Sequence, residues 1–209
     1  MTPQSMPDIV RETFPHGWRK LDLYAGLLAD EGEKRGLIGP RELPRLWSRH
    51  ILNCTAINNF IPTDVRVADV GSGAGLPGIV LAVTRPDLRI TLIEPMERRI
   101  EWLAEIVEIL DLPHVDIVRA RAEEIHGHNT FDIVTARAVA ALDKLMRLTM
   151  PLINGGGALI ALKGERAQQE VDTSVKVQRK FRVKSCEVHT VPALIADEQP
   201  TRVVVATRY

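Results

Sequence analysis

A glycine-rich segment in the first half of the chain constrains the fold more than any other feature of the sequence. The segment VADVGSGAGLPG, from Val67 to Gly78, follows a short apolar run and precedes a helical pattern. Glycines at such a junction let the backbone turn tightly and let a ligand contact the main chain. The segment therefore predicts a strand, a ligand-binding loop and a helix, in that order.

Short apolar runs alternate with helical patterns over residues 65–164. Five of these runs predict buried strands, at Val65–Val70, Ile90–Glu94, Val115–Val118, Phe131–Ala136 and Ala158–Leu162. Three patterns between them predict helices, at Leu76–Thr84, Met96–Leu110 and Val139–Leu152. Repetition of strand, helix and strand indicates an α/β fold, with a mostly parallel sheet and helices on both faces.

The beginning of the chain reads as a helical extension. One helical pattern ends near Gly32, and a second stretch of helical spacing runs from Pro44 to Ile57. The first clear strand comes only after this stretch. We therefore expect an N-terminal helical cap over residues 1–62 and a ligand-binding core over residues 63–209.

The end of the chain adds two strands to the predicted sheet. Residues 165–209 begin with a polar helical pattern and end in two strand candidates, Arg182–Val191 and Arg202–Thr207. Such an ending predicts antiparallel edge strands, so we expect seven strands in all. The glycine run Asn154–Gly157 is interpreted as a turn that leads into the fifth strand.

Composition and charge limit the possible functions. The 209 residues include 27 Lys and Arg and 27 Asp and Glu, so a net charge of zero excludes bulk electrostatic attraction as the main grip on nucleic acid. A local basic patch is still compatible with this balance. No apolar run approaches the roughly 18 residues of a membrane span, and the chain does not begin like a secretory signal. We expect a cytoplasmic protein without membrane contact, with Cys54 and Cys186 as reduced thiols.

Two ligand classes compete for the glycine-rich segment. The pattern GxGxxG at positions 73–78 matches a dinucleotide site, but Pro77 has no N–H to offer a pyrophosphate. Asp69 also places a carboxylate beside the loop, where a pyrophosphate would be repelled. A plain strand-to-helix turn would rarely need this many glycines.

The alternative pattern is an acid followed by three alternate glycines, DVGSGAG at positions 69–75. It suits a ligand that lacks phosphate and carries a cationic amino-acid end and an adenosine, as S-adenosylmethionine does. Glu94 lies 23 residues after Gly71. This is close to the spacing of about 20 residues at which a carboxylate reaches ribose hydroxyls. The residues therefore favour S-adenosylmethionine as the ligand.

With these motifs in order, the chain resembles the class I S-adenosylmethionine-dependent methyltransferases. More narrowly, it resembles the bacterial 16S ribosomal RNA guanine-N7 methyltransferases, the glucose-inhibited division protein B family. The resemblance is carried by the segments LWSRHILN at 46–53, DVGSGAGLPGI at 69–79, RAEE at 121–124, ARAVA at 136–140 and LKG at 162–164. It implies a Rossmann-like fold, S-adenosyl-L-methionine as cofactor, and 16S rRNA or the assembling small ribosomal subunit as partner of a monomer.

The resemblance also implies roles for individual residues. Glu94 would bind the ribose hydroxyls, Ala122 and Glu123 would meet the adenine, and Arg137 would lie between donor and target base. The cofactor-binding residues expected in this way are Asp69, Gly71, Gly73, Gly75, Leu76, Glu94, Ala122, Glu123 and Arg137. The chain has Asn53-Cys54 where the family often has Asp-Ser, so neither residue is assigned to the site.

The segment around Arg137 distinguishes between methylation targets. Amino methylation of adenine or cytosine tends to use an Asn/Asp-Pro-Pro-aromatic segment at the end of the fourth strand, and the sequence there is ARA. Methylation at pyrimidine C5 needs a cysteine, and ribose methylation usually needs acid and lysine groups; an arginine cannot act as a base. Guanine N7 has a free lone pair, so positioning and electrostatics suffice. We expect in-line transfer without a general base, with Arg137 as a positioning residue.

Basic residues at two places are the candidates for RNA contact, namely Arg45, Arg49, His50, Lys163 and Arg166. No metal is expected, because the pair His126 and His128 has no third ligand nearby in the sequence. Two other functions stay open from the residues alone. The chain could methylate a small molecule or a protein, or it could be a regulatory protein that binds the donor without turnover.

Overall fold

A computed structural model describes residues 2–209 of the chain. Its centre is one seven-stranded sheet with the strand order β3-β2-β1-β4-β5-β7-β6. The strands are β1 (Arg66–Val70), β2 (Arg89–Ile93), β3 (Val115–Val118), β4 (Phe131–Arg137), β5 (Ile153–Lys163), β6 (Val183–Val191) and β7 (Thr201–Arg208). The first five strands are parallel, and β7 runs antiparallel to both β5 and β6.

In the described part of the chain, eight α-helices surround the sheet or precede it. They are α1 (Ile9–Thr13), α2 (Trp18–Glu31), α3 (Leu52–Thr55), α4 (Gly78–Thr84), α5 (Glu97–Ile109), α6 (Leu142–Thr149), α7 (Ala167–Thr173) and α8 (Val175–Lys180). This arrangement confirms the predicted Rossmann-like α/β fold. The order of the strands reverses between β1 and β4, which is where ligands bind in open sheets of this type.

Two hydrophobic cores lie on opposite faces of the sheet, because successive side chains of a strand point to opposite sides. Val67 of β1 and Ile90 of β2 belong to the core that includes α2, α4 and α5. Ala68 of β1 and Val134 of β4 belong to the core that includes α6, α7 and α8. Burial on both faces explains why these strands are continuous apolar runs rather than alternating ones.

The N-terminal helices share the first core with the sheet. Leu21, Leu28 and Ile57 are fully buried there together with Val67 and Ile79. The segment up to residue 62 therefore packs against the sheet from one side, over the part that the structure describes, and the domain boundary at residue 62 stays a prediction.

Three local expectations need correction. The second helical stretch is not one α-helix, because Pro44 lies inside a 3₁₀-helix (Pro40–Arg45) that passes into a π-helix (Leu46–Ile51) before α3. Asn154–Gly157 is not a free turn but a bulge in β5, where Ile153 pairs with Phe131 and Ala158 already pairs with Ile133. Only one of the two C-terminal strands is an edge strand, since β7 lies between β5 and β6.

The size and polarity of the helices bear on membrane contact. Among residues 2–209, no helix is both long enough and apolar enough to cross a membrane.

Candidate functional site

The glycine-rich loop joins β1 to α4 at the carboxyl edge of the sheet. Gly71 has a φ of +73°, and a Cβ there would lie 2.9 Å from Cγ2 of Val139 in the loop after β4. Gly78 begins α4, and a Cβ there would lie 2.6 Å from Oδ2 of Asp69. The backbone N–H of Gly78 donates to that oxygen over 2.9 Å. The N–H is therefore not free for a phosphate, which agrees with the preference for a donor without phosphate.

Asp69 is fully buried behind the loop. Its Oδ2 accepts the bond from Gly78, whereas its Oδ1 has no hydrogen-bond partner among residues 2–209. Burial raises the pKa of this carboxyl to about 7, against the lowering effects of Gly78, Ser72 and Arg137. The carboxylate thus holds the loop in place through its bond with Gly78, and its direct contact with a methyl donor stays a prediction.

Two buried aromatic side chains donate hydrogen bonds to the same loop. The carbonyl oxygen of Ala74 accepts hydrogen bonds from Oη of Tyr24 over 2.9 Å and from Nε1 of Trp102 over 2.8 Å. All three residues are buried. The helices α2 and α5 therefore fix the backbone of the loop, a role that the apolar spacing of these aromatic residues did not reveal.

Glu94 follows β2 and links the loop to the start of α5. Its Oε2 accepts from the N–H of Gly73 over 3.0 Å, and its Oε1 accepts from the N–H of Met96 over 3.0 Å. The guanidinium of Arg99 lies 3.5 Å from Oε2. These contacts place a buried carboxylate at the neighbouring strand end, where the sequence predicted an acid for ribose hydroxyls.

A pocket of about 350 Å³ opens beside Glu94, between the ends of β2 and β3. Its lining includes Met96, Arg121 and Glu124. Of the two residues predicted to meet adenine, Ala122 is buried and Glu123 is exposed, and neither lines this pocket. Their contact with adenine stays a prediction, whereas Glu124 holds the local turn by accepting from the N–H of Arg121 over 2.8 Å.

Arg137 ends β4 and is anchored to the π-helix. Its Nη1 donates to the carbonyl oxygen of Arg49 over 3.3 Å, and its Nη2 lies 3.0 Å from Nδ1 of His50. Nε2 of His50 lies 2.8 Å from Oε2 of Glu42. Both ring nitrogens of His50 are thus engaged within the protein, and its side chain is only 15% exposed. The predicted RNA contact of His50 stays a prediction, while its observed partners are Arg137 and Glu42.

Lys163 ends β5 and holds the loop that follows β4. Its Nζ donates to the carbonyl oxygen of Ala140 over 2.7 Å and to Oε2 of Glu170 over 2.8 Å. The same carboxylate oxygen accepts from the N–H of Leu142 over 2.7 Å. Ala138, with a φ of +56°, begins this loop. Because the side chain of Lys163 is only 9% exposed, its visible role is to fix the loop beside Arg137.

A polar groove of about 360 Å³ lies between the π-helix, the end of β5 and the loop that joins β6 to β7. Arg45 and Arg49 line it together with Lys163, as expected from their shared position near the active edge. The groove also contains Arg202, which the sequence reasoning missed because only the pairing of β5 with β7 places it opposite Lys163. Arg166, at the end of the same edge, is exposed.

Asn53 and Cys54 have contacts of their own. Nδ2 of Asn53 donates to Oγ1 of Thr201 over 2.6 Å, which joins the N-terminal segment to the start of β7. Sγ of Cys54 donates to the carbonyl oxygen of His50 over 2.9 Å, and the thiol is fully buried. Burial raises its pKa to about 11, so the thiol stays protonated and supports the π-helix.

The residues of the site fit a methyl donor of the S-adenosylmethionine type. The loop offers main-chain contact at its glycines, and the carboxylates of Asp69 and Glu94 lie against it. The N–H of Gly78, the first residue of α4, is already bonded to Asp69. A cationic amino-acid end and a pair of hydroxyls match this set of acceptors better than a pyrophosphate does.

Comparisons with known proteins agree with this assignment. The family model described as rRNA small subunit methyltransferase G matches residues 18–201. A protein named ribosomal RNA small subunit methyltransferase G from Pseudarthrobacter chlorophenolicus is 54% identical over 88% of this chain and 87% of that protein. Proteins of the same name from Thermobifida fusca and Streptomyces coelicolor are 54% and 50% identical, over 82% and 84% of this chain and 73% and 74% of theirs.

Solved structures show the same fold at low identity. A putative S-adenosyl-L-methionine-dependent methyltransferase from Methanococcus maripaludis gives a TM-score of 0.58 at 17% identity, over 76% of this chain and 86% of that one. The N-methyltransferase NodS from Bradyrhizobium japonicum, in complex with S-adenosyl-L-homocysteine, gives 0.58 at 14% identity, over 85% and 97%. The fold, the glycine-rich loop and the match across residues 18–201 together show that this chain belongs to the rRNA small subunit methyltransferase G family.

Proposed function

We propose that this chain transfers the methyl group of S-adenosylmethionine to N7 of a guanine in 16S rRNA, by in-line displacement without a general base. Membership of the family makes the chain an rRNA methyltransferase that uses this donor. N7 as the target is supported by the side chains around Arg137, which are already bound within the protein or buried. Nδ1 of His50 and Nζ of Lys163 are both bound to protein partners, and Asp69 lies buried below the loop.

The proposed mechanism asks the protein to bind and position rather than to move protons. When bound, S-adenosylmethionine supplies a methyl group on a sulfonium centre, which is reactive toward a free lone pair. The glycine-rich loop and Glu94 would hold the donor, and Arg137 would orient the base at the end of β4. Because N7 carries no proton, no side chain has to accept one, and Arg137 stays charged throughout.

RNA would approach over the polar groove that Arg45, Arg49 and Lys163 line. Arg49 is exposed in this groove and would contact phosphate, and Arg45, also exposed there, would do so beside its ion pair with Glu42, which is 3.3 Å long. Arg166 is exposed outside the groove, and His50 and Lys163 would support these contacts through their bonds within the protein. A net charge of zero gives the chain little affinity for bare RNA, so the assembling small subunit is the proposed substrate of a cytoplasmic monomer.

Nucleoside analysis tests this function directly. Ribosomal RNA from cells that lack the protein should have lost one 7-methylguanosine, and purified protein with labelled donor should restore it. Small subunits reconstituted on a transcript in which every guanosine is replaced by 7-deazaguanosine should accept no label, because the attacking nitrogen is missing, whereas subunits reconstituted on the ordinary transcript should accept it. Label in the 7-deaza transcript would overturn N7 as the target.

A second experiment tests the donor site. Calorimetry should show that S-adenosylmethionine binds and that NAD does not. Gly73→Asp should abolish binding, because Gly73 has a φ of +57° and the new carboxylate would stand among the main-chain contacts. Binding of NAD without binding of S-adenosylmethionine would refute the assignment of the loop.

A further inference from the structure

The anchoring of Arg137 involves two side chains from the N-terminal segment. Nη2 of Arg137 lies 3.0 Å from Nδ1 of His50, and Nε2 of His50 lies 2.8 Å from Oε2 of Glu42. These three groups form a continuous chain from the 3₁₀-helix through the π-helix to the end of β4. The residues are far apart in sequence, since 87 positions separate His50 from Arg137.

The chemistry of the three groups fixes the protonation of the imidazole. A guanidinium has only donors, so Nδ1 of His50 must accept from Arg137. A carboxylate has only acceptors, so Nε2 must carry the proton and donate to Glu42. The neutral ring with its proton on Nε2 is the only form that satisfies both neighbours. A ring protonated at Nδ1 as well would point an N–H at the guanidinium and break the contact.

We propose that Glu42 and His50 are positioning residues for methyl transfer, in which Glu42 fixes the tautomer of His50 and His50 holds the guanidinium of Arg137 beside the transferred methyl group. The inference rests on the proposed function in one respect, the role of Arg137. It assigns to Glu42 a part that neither its sequence context nor the comparisons indicate.

The charged groups around the imidazole decide the pH at which the contact fails. They are Glu42 from the 3₁₀-helix, whose other oxygen lies 3.3 Å from Nη2 of Arg45, together with Arg49 beside the imidazole in the π-helix and Arg137 from β4. Burial and the charge of Arg137 lower the pKa of His50 from its ordinary value of 6.5, and Glu42 opposes them. The neutral ring is therefore kept at neutral pH, and the rate should fall only at a pH below 6.5.

The test is a pH profile of the single-turnover rate at saturating donor and RNA. Glu42→Gln keeps an acceptor for Nε2 and removes the charge, so its plateau rate should stay within about twofold of the parent rate. Glu42→Ala leaves Nε2 of His50 without its acceptor, so the orientation of the ring is no longer held, and the plateau should fall about tenfold through loss of positioning. In both variants the fall at acid pH should move to lower pH, because Glu42 no longer raises the pKa of His50. Glu108→Gln, an exposed acid on α5, is the matched control and should change neither feature.

Double variants show whether the effect passes through Arg137. Glu42→Ala combined with Arg137→Ala should be no slower than Arg137→Ala alone, because the carboxylate would act only through that guanidinium. Arg137→Ala should also remove the fall at acid pH. If the fall persists in Arg137→Ala, His50 is a proton acceptor in its own right and the positioning role is wrong.

The outcomes separate the inference from the proposed function. If Arg137→Ala leaves the rate unchanged, the positioning of the base by Arg137 fails, and the inference fails with it. If Arg137→Ala is slow but Glu42→Ala and His50→Ala match the parent rate and pH profile, only the inference fails. Thermal unfolding of each variant identifies a loss of folding. A fall at acid pH that moves to lower pH in Glu42→Gln, at an unchanged plateau, is the result that a merely structural role would not give.

Discussion

Neutralising Asp69 should stabilise the protein, although the residue belongs to the binding loop. The rise of its pKa from an ordinary 3.8 to about 7 means that the buried charged form is costly. At roughly 1.4 kcal/mol for each pH unit, the charged carboxylate destabilises the ligand-free fold by about 4 kcal/mol at pH 8. Asp69→Asn removes the charge and keeps an oxygen for the N–H of Gly78, so it should recover much of this energy.

The sign follows from proton linkage. The folded pKa lies above the unfolded pKa, so the folded state binds more protons between about pH 4 and pH 7, and stability falls as pH rises through that window. The stability gap between Asp69→Asn and the parent should therefore grow by about 3 kcal/mol from pH 4.5 to pH 8. Urea unfolding at both pH values measures this gap, and Asp30→Asn on the exposed face of α2 is the matched control.

A gap that does not change with pH would refute the reasoning, because it would mean that Asp69 has an ordinary pKa. The same variant should bind S-adenosylmethionine more weakly at pH 8, since a cationic donor is the partner that the carboxylate lacks without ligand. A stabilised variant with unchanged donor affinity would leave Asp69 as a support of the loop alone.

Four further predictions follow from the contacts of the site. Glu94→Ala should weaken donor binding by roughly 1.5–3 kcal/mol in calorimetry, because a charge-assisted contact is lost, and unchanged affinity would make Glu94 a structural acid. Arg49→Ala should weaken RNA binding and make its salt dependence shallower, with donor affinity intact. Tyr24→Phe should cost about 1 kcal/mol in urea unfolding, since Ala74 loses one of its two donors. Lys163→Ala should lower both stability and methylation rate, because Glu170 and the loop after β4 lose their shared cation.

The sheet could be predicted from the sequence because its parallel strands are short apolar runs, and the central ones, such as β1 and β4, are buried on both faces. Val115–Val118 was predicted with its observed bounds, and Phe131–Ala136 missed only Arg137. The 3₁₀-helix that contains Pro44 could not be predicted, since apolar spacing reports which residues are buried and not which carbonyl oxygen each N–H bonds. A 3₁₀-helix followed by a π-helix buries a similar set of side chains.

The site was predictable in its position and not in its contacts. Strand ends follow from the order of the elements, so Glu94 and Arg137 could be placed at one edge of the sheet. The partners of His50 and Lys163 lie on other elements, at separations that no local pattern encodes. Both residues look like surface cations in the sequence, and tertiary packing turns them into supports for the loops beside the site.

The N-terminal segment packs against the sheet and holds residues of the site in place. We therefore expect that residues 63–209 do not form a stable, active domain alone. Among residues 2–62, twelve buried apolar residues belong to the core shared with the sheet, and burial of one large side chain contributes about 1.5–3 kcal/mol. Loss of only four such contacts would cost about 6–12 kcal/mol, which is as much as a typical domain has. Tyr24 and His50 also hold the loop and Arg137 from this segment. A fragment of residues 63–209 should therefore lack a cooperative thermal transition. Cooperative unfolding of this fragment together with full donor affinity would instead make residues 1–62 a dispensable cap.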